Sequence, residues 1–141
     1  MKWVINMRKL TDGWLINLSW PRINPSFISA LAVGAAFGFA VFYKQNIIWL
    51  AVVFLVINLL GDWFDGIIAK KYGLASRKGW IIDIVADRLS EGIIFLYYPV
   101  PWFGFFILNC LLSIVSYWRG FAFILPIRLV FLVYFLIINI N

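Results

Sequence analysis

The sequence contains no histidine and a single cysteine, Cys110, and this scarcity narrows the chemistry it can carry. Without histidine, a catalytic imidazole and a histidine-ligated metal are both excluded, so any bound metal must be held by oxygen. A lone thiol cannot form a disulfide within the chain, and no cysteine spacing typical of a metal site is present. Since Cys110 lies in an apolar run, we interpret it as a packed apolar residue.

Charged residues are also scarce. They make up 13% of the 141 residues, whereas 65% are hydrophobic and the mean hydropathy is +0.97. A soluble domain of this length needs more polar surface to cover its core, so the composition predicts an integral membrane protein. Aromatic residues form 20% of the chain, which suits belts of aromatic side chains at the two membrane interfaces.

Five apolar segments are each near the ~20 residues that cross ~30 Å of hydrocarbon. We place them at residues 25–43, 47–70, 79–98, 103–118 and 121–140, and a different division of the apolar runs would give six. In residues 1–23 charges interrupt the apolar side chains, which favours an amphipathic interfacial helix over a signal peptide or a polar leader. We therefore predict a single all-α membrane domain over residues 1–141, with the transmembrane bundle at 24–141.

Lysine and arginine residues in the loops predict the orientation. Nine of them are predicted on one side of the membrane, before the first span or beside the loops that follow the second and fourth spans. Lys44, in the loop after the first span, is the one predicted on the opposite side. Because cytoplasmic loops are rich in positive charge, we expect a multi-pass protein of the cell membrane with its N-terminus in the cytoplasm. The net charge of +6 reflects this bias, and the short basic loops do not indicate a nucleic-acid partner.

Five of the six acidic residues lie in or beside the second and third spans. Asp62 and Asp65 are three residues apart, and Asp83 and Asp87 are four apart, so each pair shares one helix face. A charge at the centre of a membrane helix costs about 2.5 to 3.5 kcal/mol on the insertion scale. These acids therefore need a strong favourable interaction that offsets this cost. Two antiparallel helices would bring both pairs together at the cytoplasmic end of the bundle.

A divalent cation would offset the repulsion among these carboxylates. Mg²⁺ and Mn²⁺ prefer carboxylate oxygen, and four aspartates suffice for a two-metal site that promotes in-line displacement at phosphorus. Two other interpretations remain open: a proton or cation pathway through a small transporter, and structural acids paired with lysines. The acids gather at one end of two spans rather than across the depth of several, which favours phosphoryl transfer.

Residues 62–87, DWFDGIIAKKYGLASRKGWIIDIVAD, closely resemble the signature of the CDP-alcohol phosphatidyltransferase family, D-x2-D-G-x2-A-R-x8-G-x3-D-x3-D. The residues that match in register are Asp62, Asp65, Gly66, Ala69, Gly79, Asp83 and Asp87. Lys70 departs from the pattern, because the family usually has arginine there; lysine keeps the charge but loses the bidentate fork. The stretch NPSFIS at 24–29 is similar to the entry into the first span of family members.

The resemblance implies an enzyme of phospholipid biosynthesis. Such an enzyme transfers a phosphatidyl-type group from a CDP-lipid, CDP-diacylglycerol or CDP-archaeol, to a small polar alcohol and releases CMP. The resemblance also implies Mg²⁺ or Mn²⁺, as two ions, with Asp62, Asp65, Asp83 and Asp87 as metal ligands and Asp87 also as the catalytic base. The implied contacts to the CDP-lipid are Pro25, Ser26, Ser29, Gly66, Ala69, Lys70, Ser76 and Gly79. A homodimer is expected as well.

The acceptor alcohol is predicted from the residues that follow the second aspartate pair. The run DIVADRLSEG is similar to family members that use inositol phosphate, with glycerol phosphate as the alternative. Arg88, Arg119 and Arg128 are candidate ligands for the acceptor's phosphate. Arg128 lies within the fifth span, where an unpaired cation is costly, so structural pairing with an acid such as Glu91 is its other interpretation. We expect Pro126 to bend that helix and let Arg128 face the central cavity.

Overall fold

A computed structural model of the protein describes residues 23–74, 76–98, 101–119 and 125–140. Within these ranges the chain forms five helices and no strand, which confirms the all-α prediction. The helices are α1 (Pro25–Lys44), α2 (Ile48–Lys71), α3 (Arg77–Leu96), α4 (Trp102–Arg119) and α5 (Ile127–Ile140). The predicted interfacial helix in residues 1–23 lies, apart from Ile23, outside the described residues.

Among the described helices, α1, α2 and α4 are long and apolar enough to cross a membrane. α3 has a similar length but carries two arginines, a lysine and three acids, and α5 is apolar but has only 14 residues. Large apolar side chains face outward, including Leu31 and Ile114, each 57% exposed. These features confirm a helical membrane protein, while the assignment of α3 and α5 as spans stays a prediction.

Capping side chains set where the first and third helices begin. The side chain of Asn24 accepts a hydrogen bond from the backbone N–H of Ser26 at 3.0 Å, and Pro25 occupies the first turn of α1. Ser76 accepts from the backbone N–H of Gly79, also at 3.0 Å, and so caps α3. The cap at Ser76 explains why α3 begins two residues before the predicted start.

Pro126 marks the beginning of α5 rather than a bend within it. Leu125 and Pro126 are not helical, and the carbonyl of Pro126 accepts the hydrogen bond of Val130 N–H at 3.2 Å, as at a helix N-terminus. The prediction that Pro126 bends this helix is therefore wrong. Proline has no N–H to donate, which makes it well suited to a position where the helical hydrogen bonds have not yet begun.

Small side chains allow α1 to pack closely against α2. A Cβ atom added at Gly61 of α2 would lie 2.9 Å from the Cβ of Ala32 on α1, so the contact requires a glycine. Small residues at helix contacts are typical of membrane bundles, because they let the backbones approach. This contact holds the beginning of α1 beside the aspartates near the end of α2.

Aromatic side chains fill the other end of the bundle. Phe39, Phe95, Phe131 and Phe135 are completely buried there. Most pairs of these rings meet edge to face, with the centroids of Phe95 and Phe131 5.2 Å apart, and such a pair is worth about 0.5–1.5 kcal/mol beyond burial alone. The aromatic packing leaves the first turns of α1 and α3 and the last turns of α2 as the polar end of the bundle.

Candidate active site

Three aspartates from α2 and α3 meet between the helices, and we call them the aspartate group. Asp62, Asp83 and Asp87 each offer a carboxylate oxygen, and these oxygens all lie within 4.8 Å of one another. Asp83 and Asp87 are one helical turn apart, so both face the neighbouring helix that carries Asp62. Three hard oxygen donors at this separation fit an Mg²⁺ or Mn²⁺ ion.

Asp65, the fourth predicted metal ligand, lies beside this group rather than within it. Its side chain is buried, and its Oδ2 accepts a hydrogen bond from the hydroxyl of Ser29 at 2.6 Å. The carboxylate of Asp65 also interacts electrostatically with Asp83. Ser29 therefore fixes the orientation of Asp65 and joins the first turns of α1 to the acids.

Arg128 of α5 provides a buried cation to the aspartate group. Its Nη2 lies 3.0 Å from Oδ2 of Asp62 and 2.5 Å from Oδ1 of Asp87. Its Nη1 donates a hydrogen bond to Oδ1 of Asn58 at 3.1 Å, and Nε lies 3.9 Å from Oε1 of Glu91. The structure thus places Arg128 on acids of its own chain, and its contact with the acceptor's phosphate stays a prediction.

The other two predicted phosphate ligands occupy different positions. Nη1 of Arg88 lies 2.8 Å from Oε2 of Glu91, but none of the guanidinium nitrogens makes a well-aligned hydrogen bond among the described residues. Arg88 also borders an apolar groove between α3 and α4. Arg119 is exposed at the end of α4. Glu91 therefore lies between Arg88 and Arg128, while Arg119 lies at the surface.

A cavity of about 670 Å³ opens at the polar end of the bundle, and we call it the α1–α3 cavity. Asp65 and Asp83 form part of its wall. All of the predicted contacts to the CDP-lipid line it: Pro25, Ser26, Ser29, Gly66, Ala69, Lys70, Ser76 and Gly79. Residues that are up to 54 positions apart in sequence (25 to 79) thus surround a single space next to the acids.

Sequence analysis overlooked two asparagines and one tryptophan near the site. Asn58 is completely buried and donates a hydrogen bond to the carbonyl of Ala32 at 2.8 Å, in addition to its bond with Arg128. Asn109 is also completely buried, and Trp80 lines the α1–α3 cavity. The two asparagines could have been found because each is an isolated amide within an apolar span, and a buried amide needs hydrogen-bond partners. No comparable signal distinguishes Trp80 from the other tryptophans.

Comparison with known proteins identifies the family. The family model for CDP-alcohol phosphatidyltransferase matches residues 22–139. No curated protein and no solved structure matched the chain. Because the family model covers most of the sequence, the chain belongs to the CDP-alcohol phosphatidyltransferase family. It is a transferase of phosphate-containing groups, and its family generally depends on a divalent metal.

Proposed function

We propose that this protein transfers a phosphatidyl-type group from CDP-diacylglycerol or CDP-archaeol to the hydroxyl of inositol phosphate and releases CMP. Membership of the family supports phosphatidyl transfer from a CDP-alcohol in phospholipid synthesis. The observation that carries the assignment of the site is the α1–α3 cavity, which contains the predicted donor contacts and borders the acids. The resemblance of DIVADRLSEG to inositol-phosphate-using members supports the acceptor.

The lining of the α1–α3 cavity suits a nucleotide joined to a lipid. Lys70 and Lys78 supply positive charge for a diphosphate, and Ser26 and Ser76 supply hydroxyl groups. The cavity volume lies in the range of small-molecule sites. Exposed apolar faces of the surrounding helices would contact the acyl or ether chains of the donor in the membrane.

The aspartate group would hold Mg²⁺ or Mn²⁺, since its three oxygens converge and oxygen is the ligand that both ions prefer. When bound, such an ion neutralises charge on the diphosphate and on the departing group. Asp65 would bind a second ion at the cavity wall, where its carboxylate accepts a hydrogen bond from the hydroxyl of Ser29. The positions of Asp65 and Asp83 on that wall support a diphosphate located between the cavity and the acids.

The proposed reaction is an in-line displacement at the lipid-bearing phosphorus. The hydroxyl oxygen of the acceptor bonds to this phosphorus, and the bond from the phosphorus to the bridging oxygen breaks, so that CMP leaves with that oxygen. Asp87 would accept the hydroxyl proton. Its side chain is 14% exposed, and Nη2 of Arg128 holds one of its oxygens at 2.5 Å. Arg128 therefore orients the base, and a fixed base close to the nucleophile is effective even when it is weak.

The basic loops support an orientation with the α1–α3 cavity open to the cytoplasm. Lys70 and Lys78 line the cavity and also belong to the positively charged segment between α2 and α3. We therefore propose a multi-pass protein of the cell membrane whose N-terminus and active site face the cytoplasm. A homodimer remains part of the proposal.

The function is tested by measuring CMP release from the purified protein in detergent. CDP-diacylglycerol or CDP-archaeol would be supplied with Mg²⁺ or Mn²⁺, and inositol phosphate, glycerol phosphate and serine would be offered separately. We expect release that requires the metal and is fastest with inositol phosphate. Fastest release with glycerol phosphate would replace the proposed acceptor. No release with any donor and acceptor, from folded protein that binds the metal, would contradict the proposed reaction.

Gly66 provides a test of donor binding in the α1–α3 cavity. A Cβ atom added at Gly66 would meet nothing within 4 Å, although this residue lines the cavity. We expect Gly66→Leu to fold normally and to raise the KM for the CDP-lipid by about tenfold or more, because its side chain occupies space the donor needs. The measurement is CMP release at increasing concentrations of CDP-lipid.

Gly34→Leu is the matched control for this experiment. Gly34 also has open space at its Cβ position, but it lies on the exposed face of α1 outside the cavity lining. We expect the control to keep the KM of the original protein. A similar KM for both leucine variants, whether raised or unchanged, would argue against donor binding beside Gly66.

A further inference from the structure

Asn109 attaches α4 to the segment that leads into α5. Its side-chain oxygen accepts a hydrogen bond from the backbone N–H of Leu125 at 3.0 Å, and its Nδ2 donates to the carbonyl of Leu125 at 3.2 Å. An amide can bind one residue in both directions only when the two groups are closely aligned. This pair of hydrogen bonds therefore fixes the position and orientation of Leu125, two residues before α5 begins.

The same amide group also contacts the acid next to Arg128. Nδ2 of Asn109 lies 3.1 Å from Oε1 and 3.2 Å from Oε2 of Glu91. Glu91 is 1% exposed, and its Oε1 lies 3.9 Å from Nε of Arg128. Asn109 thus holds both the backbone that precedes Arg128 and the carboxylate that lies beside the guanidinium.

Arg128 depends on this attachment because it lies in the first turn of α5, three residues after Leu125. The backbone N–H of Ile127 donates to the carbonyl of Leu125 at 2.8 Å, and that of Val130 donates to the carbonyl of Pro126 at 3.2 Å, so the turn is bonded to the two residues before it. Leu125, the residue that Asn109 holds, is therefore directly connected to the first turn of α5. The contacts of Nη2 with Asp62 and Asp87 are 3.0 and 2.5 Å long, and a displacement of about 1 Å away from the two carboxylates would weaken both hydrogen bonds. A shift of Leu125 that carried the first turn of α5 with it would therefore weaken the contact of the cation with the aspartate group.

We propose that Asn109 is a positioning residue, which holds Leu125 and Glu91 and thereby places the guanidinium of Arg128 between Asp62 and Asp87. This inference rests on the proposed function, because it takes the aspartate group as the active site. Asn109 itself contacts neither Asp62 nor Asp87 among the hydrogen bonds of the described residues. Its effect on the reaction is transmitted through Arg128.

Such a role predicts opposite effects on metal binding and on turnover. Arg128 places one positive charge against carboxylates that a divalent ion also needs, so its displacement removes a competing cation. The same displacement removes the group that orients the base Asp87. Loss of Asn109 should therefore tighten ion binding while slowing the reaction. General damage to the packing of the helices would weaken both.

The experiment compares Asn109→Leu and the smaller replacement Asn109→Ala with the control Asn139→Leu in the full-length protein. Asn139 is a suitable control because its amide donates to the carbonyl of Phe135 in its own helix at 2.9 Å. Mn²⁺ affinity and CMP release would both be measured. We expect Mn²⁺ to bind the Asn109 variants about three- to tenfold more tightly and kcat to fall by about tenfold, while the control changes neither.

A double-variant cycle with Arg128→Gln separates positioning from other effects. When Arg128 is absent, replacement of Asn109 should cause no further change in Mn²⁺ affinity. An unchanged or weaker Mn²⁺ affinity in the Asn109 variants, or the same change with and without Arg128, would overturn the inference. If the original protein binds Mn²⁺ but releases no CMP, the proposed function fails, while the Mn²⁺ cycle still decides the role of Asn109.

Discussion

Asp83→Asn and Asp87→Asn are each expected to reduce CMP release by about a thousandfold or more. Both residues belong to the aspartate group, whose oxygens lie within 4.8 Å of one another. Asparagine keeps the shape of aspartate, but it removes the negative charge and presents an amide nitrogen in place of one oxygen. A site that relies on hard, charged oxygen ligands should tolerate this change poorly.

The two variants are expected to differ in their other properties. Asp87 forms an ion pair with Arg128, whereas Asp83 borders the α1–α3 cavity. Asp87→Asn should therefore also destabilise the metal-free protein, because it leaves part of the charge of Arg128 unpaired. Asp83→Asn removes one of several mutually repelling acids and leaves the ion pair of Arg128 with Asp87 in place, so without metal it should destabilise the protein less than Asp87→Asn does. Both should bind Mn²⁺ more weakly.

CMP release, Mn²⁺ binding and thermal unfolding in detergent measure these three properties. Asp12→Asn is the control, because Asp12 is the one acidic residue that precedes the first predicted span. The control should retain activity. Activity of Asp83→Asn or Asp87→Asn within tenfold of the original protein would argue strongly against catalysis at the aspartate group.

The structure also distinguishes the enzyme from the transporter interpretation. A proton or cation pathway needs polar groups throughout the depth of the bundle. Here Phe39, Phe95, Phe131 and Phe135 are completely buried at the end opposite the α1–α3 cavity and pack ring against ring. Among the described residues, polar side chains lead from the cavity to the acids and to Asn109, whereas the opposite end is filled mainly by packed aromatic rings. A site that opens at one end suits a transferase.

Much of the helical architecture could be predicted from the sequence, because apolar length and the basic loops are strong local signals. The fifth predicted span was less accurate. Hydropathy predicts this span from residue 121, whereas α5 begins at Ile127, after Pro126. The apolar character of residues 121–125 suggested a continuous helix, since hydropathy does not report where backbone hydrogen bonds begin.

In the candidate site, too, the spacing of residues along one helix is predictable from the sequence, whereas contacts between distant segments are not. The spacing of Asp83 and Asp87 predicts that they share a helix face, and two antiparallel helices are expected to bring Asp62 close to them, which the structure confirms. The hydrogen bond from Ser29 to Asp65 and the ion pair of Arg128 with Asp87 could not be predicted in the same way. These partners lie 36 and 41 residues apart, so their contacts depend on how α1 and α5 pack.

Arg128→Met is expected to destabilise the metal-free protein by about 3–5 kcal/mol, the usual effect of removing one partner from a buried ion pair. Arg128 is 6% exposed and contacts Asp62, Asp87 and Asn58. Methionine fills a similar volume but supplies neither charge nor hydrogen bonds. The carboxylates would then repel one another without a cation between them.

Mn²⁺ should restore the stability of Arg128→Met more than it raises that of the original protein. An ion that binds the folded state alone stabilises it in proportion to the logarithm of its concentration over the dissociation constant. Because the variant lacks the competing guanidinium, its dissociation constant for Mn²⁺ should be lower, and Mn²⁺ should increase its stability by a larger amount. Arg128→Lys should be intermediate, since lysine keeps the charge but loses the planar fork that reaches both Asn58 and Asp62.

Thermal unfolding in detergent, with EDTA and then with increasing Mn²⁺, measures both effects. Arg119→Met is the matched control, because Arg119 is exposed at the end of α4. It should unfold like the original protein under both conditions. If Arg128→Met is as stable as the original protein in EDTA, the guanidinium does not offset the repulsion among the acids. The variant could instead be destabilised in EDTA and yet be stabilised by Mn²⁺ no more than the original protein is. In that case Arg128 and the ion do not share the same carboxylates, and Arg128 is a structural partner of the acids, separate from the metal site.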